Sequence, residues 1–148
     1  MNFNNFTIKS QEAVQQAIQL VQNRGQQAIE AEHLLAGLLK VGENVTNFLF
    51  QKLGMNGPQI ANVLDKQIAS LPKVTGGEPY LSRTSNEVLQ KSVELSKGLG
   101  DEYVSLEAML LALLSVKSTA STILKDAGMN EKDLRTAINE LRQGQKVT

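Results

Sequence analysis

Apolar residues along the chain fall at helical spacing nearly throughout, and the pattern recurs as a set. Glu32-His33-Leu34-Leu35-Ala36-Gly37-Leu38-Leu39 returns as Glu107-Ala108-Met109-Leu110-Leu111-Ala112-Leu113-Leu114, a displacement of 75 residues. The same displacement carries Ser10, Glu12, Gln15, Leu20 and Gly25 onto Ser85, Glu87, Gln90, Leu95 and Gly100. Internal similarity of this kind marks a duplicated unit, and two units of one design tend to pack about a pseudo-twofold axis. The expected fold is therefore all-α: two pseudo-twofold-related four-helix repeats, eight helices in all, forming one compact domain.

Local signals place the helices. Phe3 and Phe6 pin the N-terminal arm to the first helix, and Thr7 stands where a hydroxyl N-cap belongs, ahead of the stripe Ala13, Val14, Ala17, Leu20 and Val21. Gly25 ends that run, a second helix spans about Glu30 to Lys40, and Gly42 breaks it. A shorter third helix over roughly Val45 to Leu53 stops at Gly54, and Asn56-Gly57-Pro58 opens a fourth through Ile60, Val63, Leu64 and Ile68. The first repeat thus covers about 7–71. Residues of about 72–81, with two prolines and the Gly76-Gly77 pair, lack helical spacing and read as the inter-repeat linker. The second repeat, about 82–142, begins at Ser82 or Thr84 and has Gly98 and Gly100 as breakers. Ser105 caps a helix to Val116, a short helix follows over Thr119 to Ala127, and Asn130 caps the last. The polar stretch 143–148 carries no stripe and reads as the start of a C-terminal linker cut from a longer chain.

Composition narrows the function. The 148 residues, 41% hydrophobic and 20% charged, suit one soluble core. Fifteen basic side chains balance fifteen acidic ones, so no net field draws in nucleic acid or an anionic membrane. The absence of cysteine removes disulfide and thiol chemistry. The longest apolar run, Ala108 to Leu114, is too short to cross a bilayer, and the start Met1-Asn2-Phe3-Asn4-Asn5 lacks the layout of a signal peptide. A cytoplasmic protein is expected.

Candidate chemistry is sparse. No glycine-rich segment ends in Lys-Ser or Lys-Thr, and Gly98-Leu99-Gly100 lacks the third glycine of a dinucleotide loop. His33 is the single histidine, with Glu30 and Glu32 as its nearest acids, and its counterpart in the second repeat is Ala108. It reads as a helix-surface residue rather than a metal ligand or base. No serine sits in a nucleophile motif. The expectation is a binding domain with no catalytic residue, no metal and no cofactor of its own.

Four segments carry a family resemblance: Phe6-Thr7-Ile8-Lys9-Ser10-Gln11-Glu12-Ala13, Ile29-Glu30-Ala31-Glu32-His33-Leu34-Leu35, Leu71-Pro72-Lys73-Val74-Thr75-Gly76-Gly77 and Gly100-Asp101-Glu102-Tyr103-Val104-Ser105-Leu106-Glu107. Over nearly the whole chain it resembles the N-terminal double-repeat domain of the Clp/Hsp100 chaperones, with the last two segments nearest the ClpB branch. The resemblance implies a mobile domain that engages unfolded or aggregated polypeptides at the head of a homohexameric, ATP- and Mg-dependent disaggregase, the domain itself being a monomer. It also implies roles in substrate handling for Thr7, Asp101 and Glu107, which as bare residues read equally well as an N-cap, a loop-closing acid and a first-turn acid.

An apolar groove on the fifth and sixth helices, lined by Leu95, Tyr103, Ala108 and Leu111, is the expected client surface. The family pattern has larger apolar side chains where this chain has Lys91 and Ala108, which lowers the expected affinity. Two alternatives remain: an adaptor-docking domain of a ClpC- or ClpA-type protease unfoldase, which would bind a folded partner, and a free-standing small-molecule-binding or hydrolytic helical protein, which would need a deep pocket with convergent polar groups.

Overall fold

Eight helices are present among the described residues, 2–143 and 147, of the computed structural model. They are α1 (Ile8–Asn23), α2 (Ala31–Val41), α3 (Glu43–Lys52), α4 (Gly57–Ala69), α5 (Arg83–Gly98), α6 (Leu106–Ser115), α7 (Thr119–Asp126) and α8 (Glu131–Arg142). The duplication holds in three dimensions: α1 moved by 75 residues becomes α5 at both ends. One residue is lost before the last helix, so Gly54-Met55-Asn56 matches Gly128-Met129-Asn130.

Two packing relations show the pseudo-twofold. Helix α3 packs on α8 while α4 packs on α7, and α2 meets α6 between the repeats. The segments ahead of the helices also cross over. Strand β1 (Ala28–Ile29) pairs in parallel with β2 (Tyr80–Leu81), placing Ile29 opposite Leu81. The counterparts of those residues, Val104 and Phe6, form the matching parallel bridge. The sequence leaves Tyr80 and Leu81 in an unstructured linker, whereas backbone pairing with the other repeat holds them. Phe3 and Phe6 stack edge to face at 5.0 Å. Their arm is fastened to the α5–α6 loop through Val104, besides leading into α1.

Caps fix most helix ends where the side-chain chemistry placed them. Thr7, Ser82, Ser105, Ser118 and Asn130 each accept a hydrogen bond from the backbone three residues on, as Asn56 does from Gln59. Three boundaries move. Gly98 lies inside α5, and Gly100, at φ +76°, makes the turn. Helix α7 ends at Asp126, with Ala127 as its C-cap. Helix α3 starts at Glu43, because Gly42 is at once the C-cap of α2 and the N-cap of α3. A methyl group on Gly42 would sit 2.7 Å from Leu106 Cδ1 and 3.0 Å from the Leu38 carbonyl oxygen, so a larger residue here requires Leu106 to shift.

The core follows from α2 and α6. Residues Leu106 to Leu114 are all buried, as are Ala31 to Leu35. Because these helices lie between the repeats, they are apolar on nearly every side. Of the stretch 143–148, residues 144–146 and 148 lie outside the described residues.

Candidate functional site

The residues expected to share one surface do not all reach it. Ala108 and Leu111 are fully buried, so neither lines an open groove. Asp101 and Glu107 are 8% exposed each and face inward. Leu95 is half-buried, and Tyr103, at 40% exposure, is the open apolar side chain of the set. Lys91 pairs along the surface with Glu94 at 3.6 Å. Thr7 is half-buried as the N-cap of α1, accepting from Ser10 N–H at 3.1 Å and donating to Ser10 Oγ at 2.8 Å.

Asp101 and Glu107 meet at Arg142, the last residue of α8. Its Nη1 donates to Asp101 Oδ1 at 3.0 Å, its Nε to Glu107 Oε2 at 2.9 Å and its Nη2 to Ser105 Oγ at 2.9 Å. Nη2 also lies 2.9 Å from Asp101 Oδ2, which makes an ion-pair contact without hydrogen-bond geometry. Burial opposes the guanidinium's charge, but hydrogen bonds and the fields of both acids outweigh it and hold Arg142 above its ordinary basicity. The cluster fastens α8 to the α5–α6 loop and the start of α6.

The first repeat fills the equivalent place differently. Gln26, Glu32, His33 and Ile68 stand where Asp101, Glu107, Ala108 and Arg142 stand in the second. His33 is fully buried, which corrects its reading as a surface residue. Its Nδ1 accepts the Glu30 N–H at 2.9 Å, so Nε2 carries the proton and donates to Gln26 Oε1 at 2.8 Å. Gln26 Nε2 in turn donates to the carbonyls of Ile68 at 2.7 Å and Leu71 at 3.4 Å, closing the end of α4. Charging His33 would break the Glu30 contact. Burial, helped by the nearby Arg24 charge, lowers its pKa to about 4. Glu32 is pushed up by burial, in part against a backbone hydrogen bond, with the Glu30 charge adding to the rise.

Unfolded, His33 titrates near the ordinary imidazole value of 6.5, and folded, near 4. Below pH 6.5 the unfolded chain therefore takes up a proton that the folded chain refuses, and stability falls toward pH 4 by up to about 3 kcal/mol. Glu32 acts oppositely at the acid end, so pH 6.5 to 5 is the clearer window. Urea midpoints should decline across it, and His33→Gln should flatten the decline.

Two apolar concavities reach solvent elsewhere. A furrow of about 400 Å³ runs between α1, α2 and α4, with Gly37, Leu64 and Ile68 as its floor. Leu20, Ala36 and Leu39 are half-buried along it, and Gln16, Gln19 and Asn23 of α1 form one rim. An ion pair between Arg24 and Asp65 joins the end of α1 to the α4 wall. A second cleft, about 530 Å³, separates α4 from α7, with Ile60, Val63 and Ile123 on its walls.

Pseudo-symmetry accounts for the difference between the repeats. In the second repeat, Leu111 occupies the place of Ala36, Ala112 that of Gly37 and Arg142 that of Ile68. The larger side chains fill what the first repeat leaves open. The pair Ala36-Gly37 against Leu111-Ala112 was the signal available in the sequence.

Among the described residues, no group of three or more His, Asp or Glu could hold a metal ion, and no single helix is long and apolar enough to cross a membrane.

The family model for the Clp repeat (R) N-terminal domain matches residues 5–127. The chain is 77% identical over its full 148 residues to chaperone protein ClpB of Bacteroides thetaiotaomicron, and spans 17% of that relative's length. The fold superposes on the Hsp104 N-terminal domain of Candida albicans with a TM-score of 0.85, covering 97% of this chain and 95% of that one at 22% identity. It also matches a ClpV N-domain in complex with a VipB peptide, with a TM-score of 0.74 at 22% identity, covering 97% and 90% of the two chains.

Proposed function

This chain belongs to the family of Clp repeat N-terminal domains, and on that premise we propose that it is the substrate-recognition domain of a ClpB-like, ATP-dependent disaggregase. Its work is to hold unfolded or aggregated polypeptide and pass it to ATPase modules elsewhere in a homohexameric, cytoplasmic parent, where ATP and Mg would bind. The observation that carries this reading is the furrow between α1, α2 and α4. Its apolar floor, formed by Leu64 and Ile68, can accept exposed aliphatic or aromatic side chains, whose burial yields roughly 25 cal/mol per Å² whatever their order. The carboxamides of Gln16, Gln19 and Asn23, each able to donate and accept, suit the backbone of an extended chain. The α1 rim is uncharged, while Lys40 and the Asp65–Arg24 pair put charge on the other sides, so the apolar floor supplies breadth and the charges bias it.

In this reading Thr7, Asp101 and Glu107 serve the framework: one caps α1 and the others hold Arg142. Leu95 and Tyr103 stand apart from the client path. The test is a fluorescence-anisotropy titration with a labelled casein-like unfolded polypeptide. Replacing Leu20 and Leu39 by Gln is expected to weaken binding about fivefold to tenfold each, the loss of roughly 1 kcal/mol of apolar contact. Both side chains also pack in part against the core, so melting should fall by a few degrees, and binding is compared well below the melting range of each variant. If Leu95→Gln and Tyr103→Ser weaken binding instead, the client lies on α5 and α6.

A second reading, docking of a defined adaptor as in a ClpC- or ClpA-type unfoldase, draws support from the ClpV N-domain that binds a VipB peptide. It requires one folded partner to bind far more tightly than unfolded chains of unrelated sequence.

A further inference from the structure

The duplication makes two seams between the repeats equivalent, and they are closed to different degrees. A displacement of 74 residues, the one that carries Gly54 onto Gly128, lays α3 on α7 and α4 on α8. The α4–α7 seam is therefore the counterpart of the α3–α8 seam. In the α3–α8 seam Phe48 and Leu141 are half-buried against the core and Ala137 is buried. Lys52 closes it at the surface, with Nζ 3.4 Å from Glu140 Oε2 and 5.6 Å from the centre of the Phe48 ring.

At the matching places the α4–α7 seam has Thr122 for Phe48, Gln67 for Leu141, Asp126 for Lys52 and Lys66 for Glu140. The apolar side chains that close one seam are missing from the other. Val63, which stands where Ala137 is covered, is 41% exposed, and a cleft of about 530 Å³ stays open beside Ile60 and Ile123. That volume is of the size that encloses a small ligand or a few side chains. Asp126 is the charged residue of its lining. Among the described residues its carboxylate has no ion-pair partner, Lys66 included, so it is open to a cation from outside.

We propose that the α4–α7 cleft docks a partner polypeptide that presents an aromatic side chain with a basic residue one helical turn on, as α3 presents Phe48 and Lys52 to α8. The ring fills the space that Thr122 leaves beside Val63 and Ile60, burying a large apolar face. The cation meets Asp126 at the rim, and the same charge turns acidic segments away. Helix α4 is a wall of both concavities, with Leu64 and Ile68 on the furrow and Ile60 and Val63 on the cleft. The cleft is thus a second site, and its occupation does not require the furrow to hold an unfolded chain.

An NMR titration of the 148-residue chain with a short, acetylated and amidated helical peptide carrying Phe and Lys at i and i+4 tests the proposal. Signals of Val63, Thr122 and Ile123 are expected to shift and saturate, and exchanging the peptide's Phe for Ala should weaken binding at least about tenfold. Thr122 and Asp126 are both exposed, so their variants are expected to fold. Thr122→Phe fills the cleft from within and should also weaken binding at least about tenfold. Asp126→Lys should weaken it about threefold to fivefold, a loss that a peptide with Glu in place of Lys recovers. Unchanged affinity in both variants, shifts confined to Leu20, Leu39 and the rest of the furrow, or no shifts at about millimolar peptide would overturn the proposal.

Discussion

Gly37→Ala is expected to destabilise the domain by about 2–3 kcal/mol, although glycine in the middle of a helix ordinarily costs about 1 kcal/mol relative to alanine. The reason is contact between helix backbones. A methyl group on Gly37 would stand 2.2 Å from the Ala13 carbonyl oxygen and 3.1 Å from the Ala17 nitrogen. Both are main-chain atoms of α1, so no rotamer change relieves the clash and α1 must withdraw from α2. Ala13 and Ala17 are themselves fully buried, and their small side chains are what bring the two helices this near. The second repeat provides the control, since Ala112 occupies the matching position in α6. Ala112→Gly should cost only the propensity and cavity terms, about 1–2 kcal/mol. In melting temperature, Gly37→Ala corresponds to a drop of roughly 4–10 °C for a chain of this size. Equal or higher stability would mean that α1 and α2 are not in this register.

Arg142→Ile should cost more, about 3–5 kcal/mol, because it leaves two inward-facing carboxylates without a partner. Asp101 and Glu107 then have only Ser105 and backbone groups at hand. The substitution copies Ile68 of the first repeat, and that repeat shows what else must change. Gln26 stands there in place of Asp101, and the remaining acid, Glu32, is buried with its pKa raised. The double variant Asp101→Gln/Arg142→Ile should therefore recover at least about 1 kcal/mol relative to Arg142→Ile alone. Chemical denaturation of the single and double variants gives the coupling directly. Losses that simply add would mean that Arg142 and Asp101 do not act as a pair.

These two sites also show what was legible in the sequence. Helix starts at Thr7, Asn56, Ser105 and Asn130 were readable because a cap is a local bond between near neighbours. The start of α3 at Glu43 was not, since one glycine closes α2 and opens α3 with no loop between them. The pairing of Ile29 with Leu81 was hidden because strands of two residues have no periodicity and their partners lie in the other repeat. His33 was misplaced for a related reason: with Ala31 to Leu35 all buried, α2 has no polar face in that turn to contrast with. Ala108 and Leu111 were expected on an open surface because α6 carries the longest apolar run, but both are buried. A helix apolar on every side belongs at the centre of a fold, and α6 is there. The open furrow lies in the first repeat, where Ala36 and Gly37 leave room, and Arg142 was missed because its partners are more than thirty residues away in sequence.

The site at which an unfolded chain touches this domain can be mapped directly. An NMR titration of the isotopically labelled 148-residue chain with a reduced, unfolded polypeptide maps that contact residue by residue. Shifts concentrated on Leu20, Ala36, Leu39 and Ala61, along the furrow between α1, α2 and α4, are the expected result. Shifts confined to Leu95, Tyr103 and their neighbours, or none at saturating concentrations, would contradict it.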